Sequence, residues 1–194
     1  MNKETTFNLP FFGLKSGCSY SRFQKWLCLP ALFFFLGLPN IHAQQVMDYA
    51  IQANIIYRFT KYIDWPESKK TGDFIIGIVG DTPLSDELKN FIANKMAGTQ
   101  KIVIKKISSS AESYSCNILF ISEDESNNLR KIAAKTAGSA ILLVTESDGL
   151  ARRGSCINFV LAGDHLKLEI NKKNIEQRDL SIASELLNLG IIVK

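Results

Sequence analysis

Histidine is almost missing from this sequence, with two among 194 residues, and cysteine is sparse at 4. His42, Cys18 and Cys28 fall in a leader segment described below. That leaves His165 as the one imidazole able to serve a Cys-His or Ser-His-Asp arrangement. It sits beside a short glycine-containing stretch and reads as a turn residue. No His or Cys spacing supports a metal. Cys116 and Cys156 open two different stretches of strand character. An oxidising compartment could pair them, but a bridge requires Cα atoms within about 7 Å, and two buried free thiols are the preferred state.

Other absences narrow the field further. Gly77-Ile78-Val79-Gly80 lacks the third glycine of a dinucleotide fingerprint, and Asp81 would repel a phosphate at the following helix start. No cofactor is therefore expected. Clustered positive charge is also lacking. The formal net charge is +4, but the leader holds Lys3, Lys15, Arg22 and Lys25 against Glu4 alone. Its removal leaves +1, too little to argue for nucleic acid. The small group Lys101, Lys105 and Lys106 fits an edge strand, where lysines deter further pairing. Glu146 and Asp148 could serve acid–base work, yet their polar loop reads as solvated. No catalytic group stands out, and the chain is not expected to be an enzyme.

Long hydrophobic runs are absent as well. The longest, Leu27 to Pro39, is about 13 residues and contains Pro30, whereas a membrane span needs roughly 20. It follows Lys15, Arg22 and Lys25 and precedes Ile41-His42-Ala43. That order is the one found in a secretory signal peptide. Cleavage is expected after Ala43, leaving residues 44–194 as one exported domain with no stable membrane insertion.

What is present is a layered pattern. Residues 46–63 place Met47, Ile51, Ile55, Phe59 and Tyr62 at helical spacing, and Trp65-Pro66 ends that helix. Phe74 to Val79, Asn117 to Ile121 and Ala140 to Val144 are continuous apolar runs suited to central strands covered on both faces. Lys101 to Ile107 reads as an edge-like strand. Thr82 and Pro83 open a helix carrying Leu84, Leu88, Phe91, Ile92 and Met96, with Gly98 as its stop. Ser122 and Glu125 fit a capping box before Leu129, Ile132 and Ala133, and Gly138 closes that helix. Ile157, Phe159 and Leu161, then Leu166, Leu168 and Ile170, alternate as two strands joined through Ala162-Gly163-Asp164. Asn171 suits a helix N-cap. The tail reads as a short helix from Lys172, a break near Leu180, and a second helix ending at Gly190.

The predicted class is α/β: a single domain with a mostly parallel, doubly wound sheet and helices on both faces. Counting strands at 74, 102, 117 and 140, the expected order is 2-1-3-4, extended by the C-terminal antiparallel hairpin. In such sheets ligands sit where the winding reverses, at the carboxyl ends of strands. That crevice would lie between Asp81-Thr82 and Ser122, which are the candidate ligand-binding residues. Arg152 and Arg153, a double arginine ahead of Gly154, are candidate partner contacts.

Several segments together resemble the YfiR/HmsC family of secreted bacterial proteins. They are FTKYIDWP, FIIGIVGD, CNILFIS, GLARRGSCINFV, LKLEIN and ASELLNLG, in order, and the resemblance covers nearly all of the mature chain. The resemblance implies a periplasmic, non-enzymatic regulator. Such a regulator binds the periplasmic sensor part of a membrane-bound diguanylate cyclase, lowering cyclic-di-GMP signalling and biofilm formation. Some members of that family carry paired cysteines tied to redox state. With the two cysteines left after the leader, this chain cannot make a two-bridge arrangement. A histidine kinase is an equally conceivable sensor partner, and a homodimer is possible. The competing reading is a periplasmic small-ligand-binding module feeding a sensor kinase, with the Asp81/Ser122 crevice as its site.

Overall fold

The computed structural model describes residues 47–194. The expected leader and its cleavage point lie outside the described residues. Helix α1 (Tyr49–Tyr62) comes first, its N-terminus capped by Asp48, whose carboxylate accepts from the Ala50 and Ile51 N–H groups at 3.0 and 3.1 Å. Two-residue β1 (Ile63–Asp64) follows, then β2 (Phe74–Val79), α2 (Leu84–Ile92), β3 (Met96–Ala97), β4 (Gln100–Lys106), β5 (Ile118–Ile121), α3 (Leu129–Lys135) and β6 (Leu142–Thr145). The hairpin strands β7 (Ile157–Ala162) and β8 (His165–Ile170) lead to α4 (Lys172–Glu176), β9 (Ser181–Ile182), α5 (Ser184–Leu187) and β10 (Ile191–Ile192).

The result is a mixed α/β domain built on a mostly parallel sheet. Its order is β10-β8-β7-β6-β5-β2-β4-β3, with β1 and β9 forming a separate antiparallel pair. β7–β8 and β3–β4 are the antiparallel neighbours in the large sheet. Every residue of β5 and β6 is buried. Continuous apolar runs produce this because a parallel strand in the middle of a sheet is covered on both sides and needs no polar face. The β7–β8 hairpin aligns Ala162 with His165, so Gly163 and Asp164 make the turn. His165 is exposed at the first position of β8.

Several local expectations change. The inward face of α1 is Gln52, Ala53, Ile56 and Phe59, while Ile51 is 48 % exposed. Repeated steps of four wind around a helix. Eight residues at about 100° each leave Ile51 about 80° from Phe59, off the buried stripe. Gly98 does not end α2. The helix stops at Ile92, and Gly98, at φ 60°, turns the β3–β4 hairpin instead, which carries Met96 out to solvent. Asn171 does cap α4, accepting from the Asn174 N–H at 3.1 Å. The second tail helix stops at Leu187, and beyond Gly190 the chain forms β10 parallel to β8. An added Cβ at Gly190 would lie 2.5 Å from Ile170 Cδ1. Only glycine lets the backbone pass that close to a fully buried side chain.

Candidate docking groove and the carboxyl-end crevice

The three central strands β2, β5 and β6 end side by side, and their carboxyl ends carry polar residues. After β2 come Gly80, Asp81 and Thr82; after β5, Ser122; after β6, Glu146. Ser122 is buried, and its hydroxyl lies between the Val79 carbonyl, at 2.9 Å, and the Asp124 carboxylate. The expected capping box does not form. Ser122 makes no side-chain cap, because its hydroxyl is drawn to β2 instead, and Glu125 accepts from the Asn128 amide. Asp124 also accepts the Asp81 N–H at 3.3 Å. The Ser122 hydroxyl, ahead of these backbone donors, holds the Asp124 carboxyl below its ordinary range. Gly80 is required here: its φ is 94°, and a Cβ would stand 1.8 Å from Ser122 Oγ.

Asp81 and Thr82 are likewise engaged within the chain. Asp81 pairs with Lys106 at 3.0 Å on the exposed rim, and Thr82 Oγ1 accepts the Leu84 N–H at 3.3 Å. The three candidate ligand residues thus lie close together, as a sheet of this kind dictates. Each already has a partner in the fold.

The crevice also holds a group that sequence reasoning placed in a solvated loop. Glu146 is 7 % exposed. Its carboxylate accepts from the Gln52 amide at 3.2 Å and from the Glu123 N–H at 3.3 Å. Burial pushes this carboxyl above its ordinary range, against those two hydrogen bonds. Gln52 is fully buried, and its Oε1 has no hydrogen-bond partner. Its spacing to Ile56 and Phe59 was the available signal.

At the other side of α1 lies an apolar groove of about 370 Å³. Ile51, Ile55 and Tyr62 form one wall, Leu166 and Leu168 of β8 another, and Leu186 and Leu189 the third. Leu168 and Leu186 are buried and make the floor, while Leu189 is 66 % exposed. Ile191 and Ile192 are about half exposed on β10, Ile192 beside Ile170 and Ile191 beside Glu169 of β8. Arg58 and Lys167 stand in the lining as its basic groups. Of the five large hydrophobic residues exposed among the described residues, Ile51 and Leu189 line this groove.

Arg152 and Arg153 lie exposed on the 3₁₀ turn Leu150–Arg153, with Arg152 3.9 Å from Glu169. Behind them runs a buried network. The Asn158 amide donates to Glu169 at 2.9 Å and its oxygen accepts from Thr145 at 2.7 Å, while Asn171 donates to the Ala151 carbonyl at 2.9 Å. The polar residues of the INF and EIN segments therefore tie β6, β7, β8 and the preceding turn together. Arg178, unnoticed in the sequence, is 7 % exposed and donates to the Thr136 carbonyl at 3.0 Å and toward Ala133 at 3.4 Å. It closes the carboxyl end of α3, where a cation meets the helix dipole favourably.

Both cysteines are buried and free. Burial pushes the Cys116 thiol up to about 12 and the Cys156 thiol to about 11. They open β5 and β7, with β6 between. Two strand spacings, about 9–10 Å, exceed what a disulfide can bridge. Among the described residues no group of three His, Cys, Asp or Glu could hold a metal, and no helix is long and apolar enough to cross a membrane.

A family model described as YfiR/HmsC-like matches residues 49–191. No curated protein matches the chain.

Proposed function

This chain belongs to the YfiR/HmsC-like family, and from that premise we propose that it is a periplasmic regulator that works by binding. Its partner is the periplasmic sensor part of a membrane signalling protein of the diguanylate cyclase type, which it restrains, lowering cyclic-di-GMP. Residues 1–43 serve as its export signal. The observation that carries this reading is the groove between α1, β8 and the α5 segment, whose walls leave Ile51 and Leu189 to solvent. A partner surface that covers such residues gains about 25 cal/mol for each Å² of apolar area removed from water. Arg152 and Arg153 are proposed as additional partner contacts.

The crevice at Asp81, Thr82 and Ser122 supports a ligand-binding module less well, because its polar groups are satisfied within the fold. Deleting the gene tests the reading. Cyclic-di-GMP and matrix production should rise, and wild-type protein supplied in trans should bring them down. Unchanged levels in the deletion strain would count against it.

A further inference from the structure

We propose that Glu146 makes the seating of helix α1 on the sheet responsive to acid. α1 has two working faces. Ile51 and Ile55 line the groove, and Gln52, the residue after Ile51, turns inward. The inward face is fastened at its first turns by a buried polar bridge, and Tyr49 beside it meets Thr82 through its hydroxyl. The Glu146 carboxylate, at the end of β6, takes the Gln52 amide on one oxygen and the Glu123 N–H on the other.

Among the described residues no cation balances this carboxylate. Glu123 and Asp124, from the turn after β5, face it with like charge, and Tyr49 of α1 lies close enough to feel it. The charged form is thus buried, repelled by its neighbours and held by two neutral donors. A proton on Glu146 removes the repulsion. The carboxyl can then donate to Gln52 Oε1, the buried acceptor without a partner, once the amide turns over. The contact survives protonation with its direction reversed.

The sign follows from linkage. A carboxyl raised by the fold is one that the folded state prefers protonated. Its contribution is fully present below the unfolded glutamate range and is lost as pH rises through the raised value. Acid therefore tightens α1, and neutral pH loosens it. The bearing on partner binding rests on the function proposed above; the seating of α1 does not, and it can be measured on the isolated protein.

The test is amide hydrogen exchange of residues 49–56, expressed as protection factors, across a pH series from about 7.5 to about 4.5 spanning the ordinary glutamate range and above. In wild type, protection should rise on acidification by up to about tenfold for each unit by which the carboxyl is raised. Glu146→Gln, which mimics the protonated group, should show high protection and no such rise. Gln52→Leu removes the bridge that couples the carboxyl to α1, so its rise should be smaller than in wild type. Coincident pH profiles for wild type and either variant would overturn the proposal. If Glu146→Gln failed to fold at neutral pH, that too would overturn it, because the neutral form is predicted to be the better seated one.

Discussion

Phe59 of α1 and Phe159 of β7 face each other with ring centroids 6.3 Å apart and planes tilted by 31°. Both are fully buried. This pair holds the middle of α1 on the sheet and so decides which side of the helix is left for the groove. Replacing either ring by alanine removes its apolar contacts and leaves a cavity. Phe59→Ala should cost about 3–5 kcal/mol, a large share of the roughly 5–15 kcal/mol that holds a domain. Denaturant unfolding measures it, and a midpoint equal to wild type would contradict the packing.

The cysteines should be silent in the native protein. With thiols raised to about 12 and about 11, almost no thiolate exists at neutral pH, and it is the thiolate that reacts. An aromatic disulfide reagent near pH 8 should label neither cysteine until denaturant is added, then both. Added reductant should leave the melting temperature unchanged. Rapid labelling of the native fold, or a reductant-dependent melting temperature, would contradict the buried, unbridged state.

Reversing charge at Arg152 and Arg153 together should leave folding nearly intact. Both are exposed, and the one ion pair there, Arg152 to Glu169 at 3.9 Å, is the kind worth about 0–1 kcal/mol. If they touch the partner, cyclic-di-GMP should rise part of the way toward the deletion level. Full restraint by the double variant would remove them from the interface.

Much of this arrangement is legible in the sequence because it follows from periodicity. The apolar runs FIIGIV, NILFI and AILLV announce buried parallel strands, and Asn171 announces a cap. The groove is not legible. Ile51 and Ile55 look like core residues in any helical reading, and only the packing of α1 through Phe59 turns them outward. Gln52 and Glu146 are hidden for the opposite reason. Their polarity suggests solvent, and they meet inside only because the chain, 94 positions on, brings the end of β6 under the first turns of α1. The capping box fails at Ser122 for a related cause: its hydroxyl is turned toward a long-range acceptor, the Val79 carbonyl, and does not accept the local N–H.

The central claim is that regulation runs through the groove. Its most direct test is the cyclic-di-GMP level of a deletion strain carrying Ile51→Glu and Leu189→Glu together. Leu189 is two-thirds exposed and Ile51 about half, so the fold should lose about 1 kcal/mol or less at each. With equal amounts of exported protein and a near wild-type melting temperature, the double variant should leave cyclic-di-GMP at the deletion level while the wild-type copy lowers it. Restoration of the low level by the double variant as fully as by wild type would contradict the claim.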